Sequence, residues 1–323
     1  MTSANPVVLA VVGAIIGACV GLTGVGGGAL MTPALLLLGV DPLTAVASDL
    51  VVSLVMKPIG ASVHLRRGTV NKRVVTWLMF GSIPTAFVGA AVVEKLGAAN
   101  DVAPVLKRAI GGALLLAVVS MLARRWAATR PQRTPGRSTK KIPTMNLDRG
   151  EKQPLQVFEA VATRRGPTIA LGVVGGLVVG LTSVGSGSLM IVGLLLLYPA
   201  MDQRSLVGTD LAQAIPLVGA AALGHAMFGS VSLGLALPLI AGAVPAVYLG
   251  SRFSSGSNLE WARSVLVVLL AASGVQLLGV PSRVSVAVAA SVASVFALLR
   301  LKRSRRRDHN REIVQGVAPG ATV

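Results

Sequence analysis

The chain is predicted to be all-α: a polytopic membrane bundle built from two inverted repeats with broken helices. Three observations carry that prediction. Hydrophobic residues make up 53% of the chain and charged residues only 13%, with a mean hydropathy of +0.74. Apolar stretches recur at about the 20 residues needed to cross a hydrocarbon core of about 30 Å. Residues 17–38 (GACVGLTGVGGGALMTPALLLL) return as residues 176–197 (GLVVGLTSVGSGSLMIVGLLLL), with 14 of 22 positions identical at a constant offset of 159. Beyond a two-residue insertion the match continues at an offset of 161, pairing Asp49 with Asp210, His64 with His225, Gly68 with Gly229, Pro84 with Pro245 and Gly89 with Gly250. Duplicated apolar units interrupted by glycine at corresponding places point to a secondary transporter.

The expected membrane segments are 6–22, 27–39, 43–63, 73–94, 104–123, 168–183, 187–199, 204–227, 231–251, 261–279 and 282–299. Segments 27–39 and 187–199 are too short to cross alone as regular helices. The first run is read as a span and not a secretory signal, because Met1–Pro6 carries no basic residue and leads straight into the repeat. Residues 1–123 form the first repeat and 167–299 the second with a last helix. The Pro- and Arg-rich stretch 124–166 is a cytoplasmic linker, and 300–323 is a basic cytoplasmic tail.

A net charge of +18 raises the question of nucleic acid, and the placement of the charge answers it. Eleven basic residues lie in 124–166, seven in 300–312, and Arg66, Arg67, Lys72 and Arg73 in one short loop. Basic residues flanking apolar spans follow the positive-inside rule and meet anionic lipid headgroups; no nucleic-acid partner is expected. The loop His64–Arg73 should therefore be cytoplasmic. Its mate, His225–Gly234, has Met227, Phe228, Leu233 and Gly234 where the first copy has the four basic residues, whereas Arg252 stands in place of Ala91. Five segments per half, an odd number, would turn the second copy over. Lys107 and Arg108 fall on the outer side of this scheme and count against it unless they snorkel. The location expected is a bacterial-type inner membrane. A single cysteine, Cys19, excludes an intramolecular disulfide, and no metal-ligand cluster or cofactor motif is present.

Two kinds of glycine pattern stand out. Gly13, Gly17 and Gly21, like Gly172, Gly176 and Gly180, are spaced by four, which bares one stripe of a helix for close approach by another backbone. Thr23-Gly24-Val25-Gly26-Gly27-Gly28 and Thr182-Ser183-Val184-Gly185-Ser186-Gly187-Ser188 instead oppose a continuous helix, since glycine costs about 1 kcal/mol per position relative to alanine. Broken backbone at membrane depth must be buried in protein or line a watery cavity. It also frees N–H groups at a new helix start, where an anion can bind; a tight interhelical turn is the other reading. The pattern is no dinucleotide fingerprint or P-loop.

These residues resemble the TauE/SafE sulfite exporters of the wider four-toluene-sulfonate-uptake group. The resemblance lies in Gly21–Gly28, Pro33, Leu35–Gly39, Ala45–Leu50 and His64–Val70, with the same order repeated from Gly180 to Val231. It implies transport of small sulfur-containing or organic anions such as sulfite or sulfonates. Ser183 and Ser186 replace Gly24 and Gly27, and Val192 replaces Pro33, so the second copy departs from the pattern.

Asp49 and Asp210 are the carboxylates expected well inside the spans. An unpaired ionised Asp there costs at least about 2.5–3.5 kcal/mol, so each is paired, hydrated or protonated. One reading is proton coupling; the other is helix capping beside the short loops after residues 39 and 199. His64 and His225 either meet terminal carbonyls of their own helices or act as titrating gates. Lys57 has no charged mate, since Val218 matches it, and it is the best single attractor for an anion. The function expected is a secondary transporter of small anions, by alternating access and possible proton coupling. The alternatives are an uncoupled anion channel and an intramembrane enzyme, for which no nucleophile with a base or metal-ligand set is found; the chain is not expected to be an enzyme.

Overall fold

The computed structural model describes residues 5–23, 28–66, 68–99, 102–129, 163–228, 231–253 and 260–281, with residues 287, 290, 291 and 294. Among them all regular structure is helical: α1 (Pro6–Thr23), α2 (Gly28–Leu37), α3 (Pro42–Arg66), α4 (Lys72–Ala99), α5 (Ala103–Thr129), α6 (Arg165–Thr182), α7 (Leu189–Leu197), α8 (Gln203–Phe228), α9 (Leu233–Phe253) and α10 (Glu260–Leu277). Ten of the eleven expected segments are thus helices. The eleventh, 282–299, falls largely outside the described residues, as do the tail and most of the linker.

Two boundaries differ from expectation. Helix α5 runs to Thr129, because Ala123–Thr129 holds no helix breaker before Pro131. Helix α4 runs to Ala99, which carries Glu94 into a helix whose candidate span is Lys72–Gly97.

Local chemistry sets the helix starts in both copies alike. Asp41 caps α3, its Oδ2 accepting from Leu43 N at 3.0 Å and Thr44 N at 3.3 Å. Asp202, its mate at offset 161, caps α8 by accepting from Arg204 N at 3.1 Å and Ser205 N at 3.2 Å. A carboxylate there satisfies orphan N–H groups and favours the positive end of the helix. Helix α2 ends where Gly39 takes φ +79°, and Val40 N donates back to the Leu35 carbonyl at 3.0 Å.

Among the described residues, six helices are long and apolar enough to cross a membrane: they hold the candidate spans Pro42–Ile59, Lys72–Gly97, Ala103–Ala123, Arg165–Thr182, Arg204–Phe228 and Leu233–Ser251. The distribution of polarity is that of a protein in lipid. Leu196 is 75% exposed, Val7 67% and Phe80 65%, whereas Asp49, Asp210, Gln213 and His225 are at most 1% exposed. Apolar side chains gain from facing hydrocarbon, and polar ones must find partners inside the bundle.

Helix α1 packs along α9 and α4 along α6, while α3 crosses α8 and α10 lies against α5. The glycine stripes make these contacts. A methyl group at Gly13, Gly17 or Gly21 would lie 2.4, 2.5 or 2.5 Å from the carbonyl oxygens of Leu239, Ala243 and Val247 on α9. At Gly172, Gly176 and Gly180 it would lie 2.4, 2.4 and 2.2 Å from those of Leu78, Ser82 and Ala86 on α4. Each glycine and each carbonyl in the second set is the repeat mate of one in the first. The first helix of each copy therefore packs on the fourth helix of the other, and both stripes serve close packing.

Candidate functional site

The second break begins where α6 stops. Ser183 takes φ +58° and Gly185 and Gly187 φ +118°, a left-handed course that favours glycine. Thr182 ties the turn together: its Oγ1 donates to the Val178 carbonyl at 2.7 Å and accepts from Val184 N at 3.2 Å. That hydroxyl is therefore engaged by its own backbone. Helix α7 opens with the Leu189 amide donating to the Gly185 carbonyl at 3.1 Å. Among the described residues, no acceptor is bonded to the amides of Gly185, Ser186 or Gly187. Gly185 and Ser186 are buried.

The start of α2 reaches the second break. A methyl group at Gly28, the last residue of the first box and the start of α2, would lie 2.4 Å from the Ser183 carbonyl and 3.3 Å from Asp49 Oδ2. Gly24, Gly26 and Gly27 lie outside the described residues, as do the side chains of Thr23 and His64.

Around this junction runs a buried polar seam. Asp49 Oδ2 accepts from Thr32 Oγ1 of α2 at 2.7 Å and from the Ser183 hydroxyl, and Asp49 Oδ1 accepts from Ser53 Oγ at 3.2 Å. Thr32 and Ser183 are themselves 2.9 Å apart. Lys57, 6% exposed, donates to the Ser186 hydroxyl and feels the charges of both Asp210 and Asp49. On α8, Gln213 Nε2 donates to Asp210 Oδ1 at 3.4 Å, and Ser82 Oγ of α4 donates to Gln213 Oε1 at 3.4 Å. Ser188 is buried at the start of α7 and makes no side-chain capping bond.

The capping reading of the two intramembrane carboxylates is corrected. Asp49 and Asp210 lie inside α3 and α8, where backbone amides already donate within the helix. Asp41 and Asp202 do the capping. The helix-end reading of His225 is corrected too, since its ring reaches other helices: Nδ1 is 2.6 Å from Glu94 Oε1 of α4, and Nε2 is 3.0 Å from the Gly180 carbonyl of α6.

Sequence reasoning passed over Thr32, Ser53, Ser82, Glu94 and Gln213. One signal was available, because Asp49, Ser53 and Lys57 recur every four residues and so share one face of α3. Glu94 closed an apolar run that was read as ending there. Thr32 has Ile191 as its mate, and the search for matched pairs passes over such a residue.

The chain resembles known proteins over most of its length. The family described as Sulfite exporter TauE/SafE matches residues 9–277. A Bacillus subtilis (strain 168) protein, probable membrane transporter protein YjnA, is 35% identical over 267 residues, covering 82% of this chain and 97% of that protein. No solved structure matches. A bundle with broken helices, a polar seam buried among lipid-facing walls and a family match across both copies lead to one conclusion: the chain belongs to the TauE/SafE sulfite exporter family and is a multi-pass membrane transporter.

Proposed function

We propose that this transporter carries small anions, sulfite or organosulfonates, by alternating access between two inverted halves, with movement coupled to protons. The observation that supports this most is the run of amides at Gly185, Ser186 and Gly187, which have no acceptor among the described residues beside the buried Lys57 ammonium. Unpartnered N–H groups in the interior are costly, and a tetrahedral or trigonal oxyanion can accept from several at once. Thr23, Gly24, Gly26, Gly27 and Gly28 would supply the equivalent cradle from the first copy, and Ser183, Ser186 and Ser188 add hydroxyl donors.

Charge supports the coupling. Two carboxylates and one ammonium leave the seam one negative charge in excess when all are ionised, and an entering anion would raise that excess. A proton taken up with the anion offsets it, which gives Asp49 and Asp210 a coupling role. The charge asymmetry between the loop His64–Arg73 and its mate supports the inverted arrangement, with linker and tail on the cytoplasmic side.

The test is flux in proteoliposomes loaded with sulfite or an aryl sulfonate. Accumulation against a concentration gradient, driven by a pH gradient, is the expected outcome. Downhill flux alone would identify a channel, and absence of flux in both directions would remove the substrate assignment. Gly185→Leu should lower transport by at least about tenfold while membrane insertion survives, because a side chain at φ +118° is strained and meets Leu189 Cδ1 at 2.9 Å.

A further inference from the structure

We infer that Glu94 and His225 form a proton-held latch joining α4, α6 and α8, a proton site separate from the carboxylates of the polar seam. Both side chains are buried, His225 at 0% and Glu94 at 4% exposure. A carbonyl oxygen can only accept, so the 3.0 Å contact with Gly180 places a hydrogen on His225 Nε2. The 2.6 Å contact between Nδ1 and Glu94 Oε1 then holds a second hydrogen. That hydrogen belongs either to a carboxylic acid donating to the ring or to an imidazolium donating to a carboxylate. The pair has no net charge in either form.

Removing the shared proton leaves two lone pairs facing each other across 2.6 Å. The ring can then keep Glu94 only by moving its remaining hydrogen to Nδ1, which strips the donor from the Gly180 carbonyl. Two ties need two protons, and one proton sustains one tie. Loss of the shared proton therefore breaks the His225 tie to α4 or the one to α6, while Asn71–Thr209 and Ser82–Gln213 still join α4 to α8. Gly180 sits three residues before Ser183, so the released tie is at the end of α6 that leads into the second break.

The helices packed around this pair carry these ionisable residues: Asp49, Lys57, His64 and Arg66 on α3, and Lys107, Arg108, Arg124 and Arg125 on α5. Arg165, at its far end, is the one ionisable side chain of α6, and segment 183–188 brings hydroxyls only. On α8 the other ionisable residues are Arg204 and Asp210; Asp210 lies fifteen residues back, about 22 Å along the axis. On α4, Lys95 is exposed, and Lys72 and Arg73 begin the helix. The hydrogen-bond geometry stands whichever solute is carried; only the effect of the latch on turnover rests on the transporter reading.

Glu94→Gln separates the possibilities. A glutamine amide donates to Nδ1 without a titrating proton, so the variant keeps both ties at every pH. Thermal unfolding in detergent between about pH 5 and pH 9 should show the wild type losing about 3 °C or more relative to Glu94→Gln as the pH rises. The sign follows from the proton count: the tie is complete while the pair holds its proton and is lost when the proton leaves. Substrate counterflow should vary with pH in the wild type and lose at least half of that variation in the variant. Parallel unfolding curves with intact transport overturn the latch alone. Diverging curves in a protein that moves neither sulfite nor sulfonates leave the latch standing and remove the transport assignment. If the variant fails to fold, ¹⁵N-histidine spectra of the wild type in lipid decide, since the chain has only three histidines. Nε2 of His225 should stay protonated at acid pH, and the tautomer or charge should change on raising it. An unchanged His225 signal across the range overturns the proposal.

Discussion

The two copies share their apolar framework and differ in their polar ties. Every glycine-to-carbonyl approach of α1 on α9 is reproduced by α6 on α4 to within 0.3 Å at the mate positions. The central helices break the likeness. Asn71 N donates to Thr209 Oγ1 at 3.0 Å, docking the start of α4 on α8. The mates of these residues are Ser232 and Ser48, and the Ser48 hydroxyl is buried with no partner. Ser82 reaches Gln213 and Glu94 reaches His225 on the same α4–α8 side, whereas the mates of Ser82 and Gln213 are Ala243 and Val52. Backbone-level packing is thus duplicated, and among the described residues two of the polar contacts that fasten one side have no like counterpart on the other. Under the alternating-access reading proposed above, such a difference between the two sides would be exchanged as the carrier turns over.

The largest expected effect tests the shared framework. Gly17→Leu and Gly176→Leu should destabilise the protein alike, each by about 3 kcal/mol or more through forced separation of packed helices, read as loss of folded yield and of unfolding temperature. Tolerance of one and not the other would break the equivalence of the two stripes.

Next comes the seam. Asp49 accepts on both oxygens from three elements, α2, α3 and the segment after α6, so Asp49→Asn sets an amide against hydroxyl donors and should cost about 2 kcal/mol. Asp210→Asn retains an acceptor for Gln213 and should cost about half that. Denaturant titration in detergent compares them, and equal losses would show that the asymmetry of the seam carries no energy. If either carboxylate binds the coupling proton, its Asn variant should also lose the pH dependence of uptake.

The smallest effect sharpens the comparison most. Thr209→Ala strands the Asn71 amide and should cost about 1 kcal/mol, whereas Ser48→Ala removes a buried hydroxyl that has no partner and should be neutral or slightly stabilising. Similar losses in both would mean that Ser48 is engaged as Thr209 is, and the docked-versus-loose distinction would fall.

The sequence by itself determined the membrane solvent, the duplication and the place of both interruptions, because hydropathy and glycine spacing are local properties that survive without contacts. It also placed Asp49, Lys57, Asp210 and His225 inside or at the ends of spans. Only the tertiary structure decided whom they meet. Asp49 finds Thr32 and Ser183 from 17 and 134 residues away, and His225 finds Glu94 from 131 away. The Ser183 and Glu94 pairings join one copy to the other, and the Thr32 pairing joins α2 to α3. Which helices come together is a tertiary outcome that no local pattern encodes.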